Sequence, residues 1–249
     1  MIRKFTVLLL LLLLTTVAFA EKVAVMSKVQ GDVQLQKADA GRYGQTAVRG
    51  TILENNDKIK VGEGFAALLL LDDHSLFKLR ENTEVRLTLV QDLSGADYHV
   101  RMDYGQALTK YAAESRSGFH VHTPTSVVSV KGTEFWVVSD PNAGDDVIVL
   151  EGEVSVVNNV TGTTSTATTG RTIRSSIDGT IQAAPTEAGS IPEDPDPDDG
   201  FGLVEPDTAP PTDTGLVKKK PSGLPTRPSI LIGLVMTLGL VLILLHDQL

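Results

Sequence analysis

The residue types in this chain best suited to chemistry are its histidines. The stretch "FHVHT" places His120 and His122 two positions apart. In an extended strand such residues share one face, with Cα atoms about 7 Å apart. Two imidazoles at that separation can share a metal ion if a neighbouring strand supplies a third ligand. His99, in "YHVRM", is the available candidate. Nothing in the sequence fixes that pairing, and no carboxylate stands at ligand spacing, so the wet face of a strand is the preferred reading. A Ser-His-Asp set can be drawn from any chain holding these residue types. The chain lacks a G-x-S-x-G elbow, a phosphate-binding glycine loop, a G-x-G-x-x-G fingerprint and an H-E-x-x-H pair. It also has no cysteine, which removes thiol nucleophiles, thiolate metal sites and disulfides. The expectation is a protein that is not an enzyme and that carries no metal or other cofactor.

A second ligand-like pattern lies near the C-terminus. "DPDPDDGFGLVE" puts Asp194, Asp196, Asp198 and Glu205 at positions 1, 3, 5 and 12 of a calcium loop. Position 6 is Asp199 rather than glycine, and prolines fill positions 2 and 4, so an acidic spacer is preferred over a cation site. Nine acidic residues and no basic one fall between Glu187 and Asp213, and the 249-residue chain carries a net charge of −9. That balance excludes a nucleic-acid partner held by phosphate contacts.

The elements that must position these residues read as strands. Apolar and polar residues alternate in "GDVQLQ", "EVRLTLV", "YHVRMDY", "FHVHT" and "EGEVSV", and glycine or Asn/Asp clusters punctuate the runs. One short helical turn is expected over Ala107–Ser115. Residues 21–182 are therefore read as an all-β domain. Residues 183–227 are rich in proline and acid and poor in apolar anchors, as in a disordered linker. Residues 1–20 show a signal peptide's order: Arg3 and Lys4, an apolar run, then Ala18-Phe19-Ala20. Residues 228–246 contain an uncharged apolar run read as a C-terminal transmembrane helix. These features place the domain in the cell envelope, exported and tethered to the membrane.

The stretch "TPTSVVSVKGTEFWVV", followed by "VIVLEGEVSVVN", resembles the central signature of the iron-dicitrate regulator (FecR) family. "ILENNDKIKVG" and "LLLLDDHSLFKLRENTEVRL" fit the same domain upstream, so the resemblance runs from about Val29 to Ile173. It implies a twisted, solenoid-like stack of short strands. Asn56 and His74 stand where the family usually has glycine, and both residue types tolerate the positive φ of a turn. Family members that control transcription bind a sigma factor through a cytoplasmic segment, and meet an outer-membrane transporter through a further module.

Within this frame the motif residues carry structural roles. Pro124 ends or bends a strand. Gly132-Thr133 and Gly152 permit tight turns or close backbone approach. Phe135, Val137 and Val154 point to the core. Trp136, the sole tryptophan, takes the opposite face, where it is either a candidate contact residue or partly buried by a neighbouring loop. The main expectation is a non-enzymatic interaction or sensing module with a protein partner in the envelope. The alternatives are a regulator of sigma-factor signalling that acts with a separate partner, and a carbohydrate- or peptidoglycan-binding surface protein.

Overall fold

Two-residue alternation buries one face of most strands, and stretches such as Leu76–Leu79 are buried on both faces, in the computed structural model. It describes residues 21–71, 75–92, 95–111, 118–130 and 132–198. Among them the strands are β1 (Lys22–Gln36), β2 (Gln45–Thr46), β3 (Ile52–Glu54), β4 (Lys58–Leu70), β5 (Leu76–Leu79), β6 (Thr83–Asp92), β7 (Gly95–Lys110) and β8 (Gly118–His122). The series continues with β9 (Ser126–Val130), β10 (Glu134–Asp140), β11 (Gly144–Glu151), β12 (Glu153–Asn158), β13 (Thr164–Thr168), β14 (Arg171–Ser176) and β15 (Ile181–Pro185).

All of these join one sheet whose main path runs β13-β12-β9-β8-β7-β10-β11-β14-β15. Among the described residues every strand pairing is antiparallel except β7 with β8. Strand β7 is the hinge of the arrangement. Its first half pairs with β6 and β8, whereas its second half, from Gly105 onward, pairs with β5 and β10. Strands β1 and β4 make the same change of direction together, where Gly31 sits opposite Gly64. Both have positive φ, and a Cβ on Gly31 would fall 2.1 Å from the Glu63 carbonyl oxygen, so no other residue fits that crossing.

The sheet thus folds over on itself and encloses one core. That core unites Val100, Val121, Val128 and Val156 from one half with Val137, Val147 and Ile173 from the other. A single cross-strand row shows how it is built: Val29, Ala66, Leu79, Ala107, Val137, Val147, Ile173 and Ala183 lie side by side in register. With no cysteine, this apolar layer and the ladder hydrogen bonds carry the stability.

Several expectations are corrected. The domain is not a solenoid-like stack of short strands. Strands of 13 to 16 residues shared between two halves make it a folded single sheet. The helical turn expected from Ala107 is strand as far as Lys110, paired with both β5 and β10. No helix among the described residues is long and apolar enough to cross a membrane. The residues read as a signal peptide (1–20) and as a transmembrane helix (228–246) lie outside the described residues, as do His74 and Glu205. The boundary at residue 183 is also displaced. Strand β15 runs to Pro185, and residues 186–198 lie against the sheet instead of leaving it as a free linker. Asn56 adopts the expected left-handed conformation, with φ of 71°.

Candidate interaction surface

The signature residues hold the folded sheet together at its turns. Pro124 is exposed in the turn between β8 and β9. Beside it, the Thr123 hydroxyl accepts hydrogen bonds from the Ser126 and Thr125 amides at 2.8 and 3.2 Å and donates to Asp145 Oδ2 at 2.5 Å. Asn159 Nδ2 donates to the Thr123 and Pro124 carbonyls. A buried carboxylate on β11 is thereby tied to a turn on the opposite half. The Gly-Thr and Glu-Gly halves of the signature also touch. Gly152 has positive φ, and a Cβ there would lie 2.7 Å from both the Gly132 carbonyl oxygen and Thr133 Cγ2. Phe135 and Val154 are fully buried, as their alternation requires.

The histidines meet as the strand reading required, through a pairing that the sequence does not reveal. Parallel β7 and β8 set His99 beside His120 and Arg101 beside His122. The His99 ring stacks 5.0 Å from His120 and 5.1 Å from His122, and His99 Nδ1 lies 2.9 Å from His122 Nε2 in a hydrogen bond. His120 Nδ1 contacts Ser129 Oγ at 2.9 Å. One ring nitrogen of each histidine is thus engaged with another imidazole or with a hydroxyl, and no group of three His, Cys, Asp or Glu side chains that could hold a metal is found among the described residues. Partial burial, and then the neighbouring His99, lower the pKa of His120 and of His122 below the ordinary 6.5. An open cleft of about 560 Å³ lies elsewhere, lined by Arg80, Glu81, Tyr104, Gln106, Ser139 and Asp140. There the Arg80 guanidinium donates to Gln106 Oε1 at 3.0 Å.

The most structured surface feature is on the outer face of the other half. One register step from the core row lies a second row: Lys28, Ala67, Lys78, Leu108, Trp136, Ile148, Thr172 and Ala184. Its side chains point away from the main core, yet Lys78 is 0 % and Trp136 1 % exposed. The segment that follows β15 accounts for the burial of Lys78. Thr186 Oγ1 pairs with Thr172 Oγ1 at 3.0 Å, which starts the strap beside the row. Farther on, Asp194 grips Lys78 Nζ through both oxygens at 2.8 Å, and the Asp196 carbonyl accepts from the same ammonium at 2.5 Å. The Asp196 carboxylate pairs with Lys28 and is 2 % exposed.

The strap is not fully extended on its way to Lys78: it turns at its start, where the Ser190 amide and hydroxyl both donate to the Glu187 carbonyl around Gly189, whose φ is positive. Near its start the strap's Glu187 and Ser190 face Ile148, Thr172 and Ala184 across a gap of about 100 Å³.

Trp136 therefore does lie opposite Phe135 and Val137, but it packs with Leu108, Ile148 and Leu150 in a small second apolar cluster. It is not an open contact residue. Asp194 and Asp196, two of the ligands in the calcium-loop pattern, are engaged by lysines. Sequence reasoning missed Lys28 and Lys78. The available signal was "DPD", two carboxylates two residues apart, here also joined by the Asp196 amide donating to Asp194 Oδ1 at 2.9 Å.

Comparison with known proteins agrees with the signature. The sequence model of the family described as FecR protein matches residues 57–155, from the turn before β4 into β12. No curated protein sequence matches the chain. Two crystal structures of a candidate anti-sigma factor from Parabacteroides distasonis ATCC 8503, at 1.65 and 2.50 Å resolution, are similar at 21 % identity with a TM-score of 0.43. Each match covers 53 % of this chain and 60 % of that protein, so the chain spans less than two thirds of the protein it resembles. With its Gly-Thr and Glu-Gly turns in contact inside the matched span, the chain carries a FecR domain over residues 57–155.

Proposed function

We propose that this protein is a regulator of sigma-factor signalling that works in the cell envelope by binding a separate protein, without catalysing a reaction. The observation that carries this reading is the FecR match over residues 57–155, since regulation through protein contacts is that family's work. The geometry is compatible with it. The signature residues are spent on turns and core, and the polar clusters outside the core bond mainly to one another. The export-like pattern of Arg3, Lys4 and Ala18-Phe19-Ala20 supports an envelope location.

The test is crosslinking and affinity capture of the full-length chain from its own cells, together with transcript profiling of a deletion strain. Capture of a sigma-factor regulator or an outer-membrane receptor, with altered expression of a small gene set, is the expected result. Retention on isolated murein with no protein captured and no transcript change would overturn the reading in favour of a wall-binding role.

A further inference from the structure

We propose that the outer face around Lys78 and Lys28 is a binding site for an acidic protein segment, which residues 186–198 occupy in cis and a partner's Asp-x-Asp segment takes by displacing them. The proposal stands independently of the sigma-factor reading, because it concerns the chemistry of the site and not the pathway of the partner.

The site is built for an anion. Lys78 is fully buried at the middle of a sheet face, and a buried ammonium is tolerated only when charge and hydrogen bonds are supplied to it. Asp194 supplies both carboxylate oxygens and Asp196 a carbonyl. Lys28, at the far end of the same row, takes the second carboxylate. Between these charges and β15 lie Leu108, Trp136 and Ile148, an apolar cluster on the same face. The two lysines together specify carboxylates at i and i+2, which in cis are Asp194 and Asp196.

The present occupant is held in the manner of a ligand. No ladder pairing joins residues 186–198 to any strand. Glu187, Ala188, Gly189, Ser190 and Ile191 are exposed, so much of the strap buries little. Asp196 Oδ2 is buried without a hydrogen-bond partner, so the fit of this segment is incomplete. A covalently attached segment needs only weak contacts to fill its site, because its effective concentration is high. A free segment with a better fit can then compete for it.

The chain reports on this site itself, because Trp136 is the sole tryptophan. The probe is a synthetic peptide of residues 186–198, and the protein is the full-length chain carrying Asp194→Asn and Asp196→Asn. The wild type should emit as a buried tryptophan and ignore the peptide. The double variant should emit to the red, and added peptide should restore the blue emission, with at least tenfold weaker binding for the Asn-substituted peptide and for binding at high salt. Unchanged emission in the double variant, or equal binding of both peptides, overturns the proposal.

A second arm covers failure of that variant to fold: a protease site placed between Ala188 and Gly189 of the otherwise native chain. After cleavage, loss of the strap on dilution and its return on titration, with circular dichroism unchanged, supports the proposal. A strap that never leaves, or a domain that unfolds when it does, overturns it.

Discussion

Two outer faces of the same folded sheet carry polar and aromatic residues at equivalent outward positions, and they end up in opposite environments. On one half, His99, His120 and His122 stack beside Ser129 and stay partly open to water. On the other, Lys78 and Trp136 have almost no exposure: Asp194 of the segment after β15 engages the ammonium, and Leu108, Ile148 and Leu150 pack with the indole. Alternation assigns a side chain to the core or away from it. Whether an outward side chain is wet then depends on what else the chain lays over that face.

The largest effect should come from emptying the covered row. Trp136→Ala removes a buried indole from that row and should cost about 3–5 kcal/mol of unfolding free energy. His120→Ala, its counterpart on the wet face, should stay within about 0.5 kcal/mol near pH 8. Urea denaturation of the two variants measures both. Similar costs would erase the contrast between the faces.

The next effect concerns charge. Lys78→Ala leaves Asp194 without that ammonium and should cost about 3 kcal/mol, the scale for breaking a buried pair from one side. A fall in the denaturation midpoint should be accompanied by red-shifted Trp136 emission as the strap lifts. An unshifted emission would mean that packing alone holds it.

The smallest effect is a pH dependence on the wet face. Burial and the adjacent His99 lower the pKa of His120 and His122 below 6.5, so as pH falls through 6.5 the unfolded chain takes up protons first. Their contribution is therefore neutral above that pH and destabilising below it, levelling off once the folded state is also protonated. Melting temperatures at pH 8 and pH 5 should differ less for His120→Gln/His122→Gln than for the wild type. An identical difference would show that carboxylates, not these imidazoles, set the acid response.

Much of the fold was legible because its information is local. The alternation of Phe119, Val121, Phe135 and Val137 marked buried positions, and Asn56 was recognised as a turn residue from its tolerance of positive φ. The Gly-Thr and Glu-Gly halves of the signature are each recognisable locally, and in the fold they touch. The solenoid expectation failed because short apparent runs hid long strands. "KVAVMSKVQGDVQLQ" looks interrupted at Gly31, yet Gly31 only bends β1 where it meets Gly64 of β4. The linker expectation failed at its first residues because proline and aspartate are typical of free chain. The same residues also make a good strap, and they pack where buried Lys78 and exposed Lys28 meet their carboxylates.

The amino-acid sequence by itself determined the class of the fold, the outward direction of the histidines and of Trp136, and the family signature, since each depends on neighbours a few residues apart. Only the tertiary structure decided the parallel pairing that stacks His99 on His120, and the burial of Lys78. That lysine's partner lies 116 positions away in the chain. No local periodicity encodes so distant a contact. It exists because the folded sheet presents an ammonium within reach of one short acidic segment.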